Sequence, residues 1–97
     1  MDFNALASAK YDELMLAWRA GELQIPTFGD AALERHGYMR DRFEREALTV
    51  AAGLIARGLR GAAASDWIEA SPHLKGTIEG RAALAVISQA SPKLYDA

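Results

Sequence analysis

The stretch YMRDRFEREALTVAAGLIARGL, Tyr38 to Leu59, changes character halfway along. In its first half Arg40 and Glu44, Asp41 and Arg45, and Arg42 and Glu46 are opposite charges four residues apart, the spacing of ion pairs on a solvated helix face. Met39, Phe43, Ala47, Val50 and Leu54 fall together on another face. From Ala47 onward the polar face almost disappears. A helix that loses its polar face is entering the interior or an interface. This stretch therefore predicts a long central helix packed on more than one side. Gly53, beside Ala52 and Ala56, would let another backbone approach closely. Arg57 and Arg60 suit the negative end of the helix dipole, and Gly58 or Gly61 ends the helix.

The chain before this stretch reads as one clear helix and a loop. Phe3, Leu6, Ala7, Tyr11, Leu14, Met15 and Trp18 follow three-and-four spacing, which predicts a helix over about residues 3–20. Asp2 or Asn4 can cap its start, and Gly21 suits a left-handed stop. GELQIPTFG, residues 21–29, is a loop that Ile25 and Phe28 pin to the core. Asp30 would cap a helix through AALERHG, and Gly37 either breaks that helix or bends it into the next.

Beyond the central helix the pieces shorten. AAASDWIEA, residues 62–70, predicts a short helix, and Ser71-Pro72 restarts the chain. Gly76 stops that turn. Thr77 can cap IEGRAALAVISQA, a helix that ends before Ser91-Pro92. Ser65, Ser71 and Ser91 look like helix caps. No segment alternates with period two, and no Asn-Gly or Asp-Gly turn occurs. The expected fold is all-α: one domain over residues 1–97, a compact bundle of four to five helices around a long central one.

Several functions are disfavoured by what is missing. There is no cysteine, hence no disulfide, thiol nucleophile or cysteine-ligated metal. No apolar run approaches the roughly 20 residues of a membrane span, and the N-terminus has no signal-peptide pattern. No membrane and a cytoplasmic location are expected. The two histidines, His36 and His73, stand in no ligand spacing, so no metal is expected and both read as surface residues. No serine sits in a nucleophile elbow, and no glycine loop is placed to cradle phosphate. The chain is therefore expected to have no cofactor and not to be an enzyme.

Charge is unevenly spread around a net value of −2. Residues 1–34 carry six acids and two bases, whereas residues 35–61 carry six arginines and three acids. Asp12 and Glu13, with Glu22 beyond the helix end, and the arginines Arg35, Arg40, Arg42 and Arg45 are the candidate contact residues for another protein. Inhibitors, immunity proteins, antitoxins and small phage-encoded blockers are of this physical type. A second copy of the chain is a further candidate partner.

Nucleic acid is the alternative partner. SDWIEASPHLKGTIEGR, residues 65–81, offers a helix, a turn and a second helix, in the order of a helix-turn-helix. Its only cations are Lys75 and Arg81, few for phosphate contacts, which places DNA behind protein as the expected partner. Within it, WIEASPHLKG resembles part of the toxin-binding region of some bacterial antitoxins. The resemblance spans ten of 97 residues, and the chain departs from that pattern afterwards, so it assigns no role to any residue. IEGR, residues 78–81, matches a protease recognition site. Its place in an apolar helix marks the match as chance.

Overall fold

The computed structural model describes residues 2–96. The described residues form five α-helices and no strand: α1 (Phe3–Arg19), α2 (Asp30–Arg35), α3 (Arg40–Ala56), α4 (Gly61–Glu69) and α5 (Ile78–Gln89). A 3₁₀ turn, Pro92–Tyr95, follows. The radius of gyration is 12.8 Å, as expected for a compact chain of about this length.

The central helix is α3, as its composition predicts. Phe43, Ala47, Leu48, Ala51, Ala52, Leu54 and Ile55 are all buried along it. Helices α1 and α5 each pack along α3 and make no extensive contact with each other. Leu14 is the fully buried side chain of α1, while Ile78, Ala82, Ala83, Val86 and Ile87 form the buried face of α5. Phe43, only 1 % exposed, anchors the incoming chain. The rings of Phe28 and Tyr38 meet it edge-on at 5.5 and 5.8 Å. The loop before α2 is thus pinned by Phe28 and by buried Ile25, with Leu23 buried beside them.

Gly37 breaks the chain between α2 and α3. It sits at φ 80°, where its N–H bonds the Glu34 carbonyl and the N–H of Tyr38 bonds that of Leu33. That pair of bonds closes a helix and turns the chain away, a conformation in which a side chain would be strained. Helix α1 starts where Asp2 accepts a bond from the Ala5 N–H at 2.8 Å, and α5 where Thr77 accepts from Gly80 N–H at 3.0 Å. Ser91 likewise accepts from the Lys93 N–H at 3.2 Å.

Other local expectations need correction. Asp30 is the first residue of α2 rather than its cap, and it takes Arg40 as an ion-pair partner at 2.7 Å. Ser65 lies inside α4, and Ser71 donates back to the Trp67 carbonyl at 2.7 Å instead of capping the next turn. Of the three charge pairs expected along α3, Asp41–Arg45 closes at 3.2 Å. Arg40 turns to Asp30, and Arg42 lies over the Tyr38 ring at 5.4 Å.

Gly53 is the largest correction. A methyl group there would meet only the Arg57 guanidinium, at an ordinary contact distance of 3.4 Å. The close approach occurs at Gly80, where a methyl group would stand 2.9 Å from the Leu74 carbonyl oxygen and 3.3 Å from Ile68. Gly80 therefore sets how tightly the turn after α4 folds over α5.

The far end of α3 is held by arginine–aromatic stacking. The Arg57 guanidinium lies over Phe3 at 4.2 Å and over Trp67 at 4.6 Å, linking α1, α3 and α4. Arg60 stacks on Tyr95 at 4.0 Å, and the Tyr95 hydroxyl donates to the Leu59 carbonyl at 2.9 Å. Helix α4 leaves α3 at 118°.

Candidate protein-binding groove

The amphipathic pattern of α1 buries the stripe through Lys10 and Leu14, with Tyr11, Met15 and Trp18 half-buried beside it. Leu16 falls off that stripe. It is 70 % exposed, one of few large apolar side chains so placed. Beside it, between the C-terminal half of α1 and the junction of α5 with the 3₁₀ turn, runs a groove of about 490 Å³. Its apolar wall is Leu16, Ala17, Ala20, Leu23, Ala90 and Leu94. Glu13 and Glu22 supply its charge, and Gln89 and Ser91 its neutral polar groups.

The groove exists because α1 and α5 lean on α3 rather than on each other. The loop through Leu23 fills part of the space between them, and Gln89 fixes that loop. Its Oε1 accepts from the Gln24 N–H and its Nε2 donates to the Gln24 carbonyl, both at 2.8 Å. On the α1 side, Lys10 is buried at 5 % exposure. Its ammonium donates to the Asp96 carbonyl at 2.6 Å and lies 3.4 Å from Glu13 Oε2. A buried ammonium needs such acceptors, and here they tie α1 to the end of the described chain.

The expected contact residues are scattered over the surface. Glu13 and Glu22 line the groove, and Asp12 is exposed one turn before Leu16. Arg45 lies in a depression shared with Met15, Trp18, Arg19, Asp41 and Glu44. Arg40 is occupied by Asp30 and by the Phe28 carbonyl at 2.6 Å, and Arg42 by Tyr38. Arg35 is exposed at the end of α2. The acids and the arginines thus do not converge on one site. The reading of charge alone missed Leu16, Leu23, Gln89 and Leu94. Leu16 had a signal: it is a leucine out of phase with the buried stripe, four residues after Asp12.

Residues 65–81 depart from a DNA reader in two respects. The connection from Ala70 to Thr77 is eight residues long, against the three or four of a helix-turn-helix. The first turn of α5, which would face the bases, is engaged inside the protein. Ile78 and Gly80 are buried, and Glu79 accepts a hydrogen bond from the Tyr38 hydroxyl. Burial, and then that bond, raise the Tyr38 phenol above its ordinary pKa; burial does the same to Tyr95. Lys75 and Arg81 are exposed.

His36 and His73 are both exposed and far apart in the chain. Among the described residues no three of His, Asp and Glu gather closely enough to hold a metal ion. No single helix among them is long and apolar enough to cross a membrane. Compared with protein-family models, curated proteins and solved structures, the chain matches none.

Proposed function

We propose that this chain is a small, non-catalytic module that binds another protein by shape and charge, of the inhibitor, immunity or antitoxin-like type of bacteria and phages, and that it works in the cytoplasm. The observation that supports this reading is the exposed Leu16, continuous with an apolar groove. Single exposed leucines are ordinary on a protein surface. A leucine that extends a concave apolar wall is different, because water leaves both surfaces when a partner side chain enters. The lack of cysteine suits a reducing compartment.

The test is capture of a partner from the native host by the immobilised full chain, followed by reconstitution from purified components. A stoichiometric protein complex that survives moderate salt supports the reading. A gel shift with duplex DNA runs beside it. Micromolar, salt-sensitive DNA binding lost in Arg81→Ala, with no protein complex, would replace this reading with the DNA-binding one.

A further inference from the structure

We infer that the groove beside Leu16 receives an amphipathic helix of the partner, whose apolar side chains are flanked by arginine or lysine. This rests on the reading of the chain as a protein-binding module and specifies the partner's chemistry.

Three observations favour a cationic helix. The first is charge. Both ionisable residues that line the groove are glutamates, and exposed Asp12 lies one helical turn before Leu16. Lys10 offsets part of the charge of Glu13. Among the described residues Asp12 and Glu22 have no ion-pair partner, so their negative charge faces solvent undiminished. An apolar cleft edged by one sign of charge favours the opposite sign on its ligand.

The second observation concerns backbone. An extended peptide gains affinity by pairing with an open sheet edge. No strand occurs among the described residues, and in the loop that flanks the groove both backbone groups of Gln24 are already taken by Gln89. Pairing of an extended segment with Gln24 is thus blocked, and a helix, which satisfies its own backbone, asks least of the groove.

The third is architecture. Helices α1 and α5 flank α3 and pack little on each other, so the seam between them, filled only in part by the loop through Leu23, leaves a position open beside two helices. A partner helix with apolar residues at three- and four-residue spacing can lay that face against Leu16, Leu23 and Leu94.

The experiment is selection of helical peptides, displayed as a library of varied charge, on the immobilised full-length chain. The expected winners carry apolar residues at three- and four-residue spacing with Arg or Lys beside them. Their binding should fall about tenfold or more in Leu16→Asp, fall also in Glu22→Lys, and stay unchanged in Ala63→Glu, a change at an exposed position of α4. Leu16 is exposed, so Leu16→Asp keeps the fold, which circular dichroism checks. Acidic winners, winners indifferent to Leu16, or no enrichment would each overturn the proposal. So would a concentration-dependent dimer abolished by Leu16→Asp, since the occupant would then be a second copy. If the host partner is captured equally by wild type and Leu16→Asp, the groove assignment falls while the protein-binding reading stands.

Discussion

The side-chain amide of Gln89 holds both backbone groups of Gln24, 65 positions earlier in the chain, each bond 2.8 Å long. Its Nε2 also reaches the Ala85 carbonyl at 3.0 Å, which fixes the amide's orientation on α5. A glutamine here does what a neighbouring strand would do elsewhere. Gln89→Ala should lower stability by about 1 kcal/mol, the lower part of the range for two bonds at an exposed site. Urea denaturation measures this, and hydrogen exchange at Gln24 should quicken. An unchanged exchange rate would mean that buried Leu23 and Ile25 hold the loop unaided.

Two glycines should respond to alanine with opposite signs. Gly53→Ala would bring a methyl group to 3.4 Å from the Arg57 guanidinium, an ordinary contact, so it should stabilise α3 by about 0.5–1 kcal/mol through helix propensity. Gly80→Ala gains the same propensity but drives a methyl group against the Leu74 carbonyl and the Thr77 hydroxyl. Overpacking of this kind costs about 1–3 kcal/mol, which outweighs the gain. Thermal midpoints of the two variants should move apart, up for Gly53→Ala and down for Gly80→Ala.

The phenol of Tyr38 predicts a loss of stability in alkali. Its pKa is raised by burial and then by the bond to Glu79, so the fold favours the protonated form over the unfolded value of about 10. That contribution is fully present below about pH 10 and is lost as pH rises through the folded-state value. Tyr38→Phe should therefore destabilise the protein at neutral pH, and its deficit should shrink in alkali. Denaturant titrations of both proteins at neutral pH and above pH 10 measure the difference. A deficit that stays constant would show that folding does not raise the Tyr38 pKa.

The IEGR match lies in the first turn of α5, with Ile78 and Gly80 buried and Arg81 exposed. Proteases bind extended chain, so this turn must open before cleavage. The folded protein should resist the protease specific for Ile-Glu-Gly-Arg, and the urea-denatured chain should be cut after Arg81. Electrophoresis over a time course distinguishes the two. Fast cleavage of the native protein would place the stability of α5 far below that of the whole.

Residue patterns made the helices legible because burial and helical period leave the same mark. The loss of polar residues after Ala47 predicted a central α3, and the Thr77 and Ser91 caps and the role of Phe28 were readable from local chemistry. What escaped was information about neighbours. Gly53 looked like the close contact because small residues surround it in sequence, whereas Gly80 meets Leu74 and Ile68 in space. Arg40 has Glu44 four residues on, yet Asp30 offers the shorter route once Gly37 turns the chain. The acids at the groove were legible as charge. The groove itself was not, because it lies where two helices pack on α3 far more than on each other, and sparse contact has no sequence pattern.

Reliance of both outer helices on α3 also orders events in time. Most of the surface on which α1 and α5 pack is supplied by α3, so α3 is the expected centre of the folding nucleus. The expected transition state has α3 formed and at least one flank attached. Truncations inside α3, such as Leu48→Ala, should slow folding, while Ala64→Gly in α4 should mainly hasten unfolding. Stopped-flow chevrons separate the two effects. A mutation in the shared helix thus delays two dockings, whereas one in either flank delays a single one.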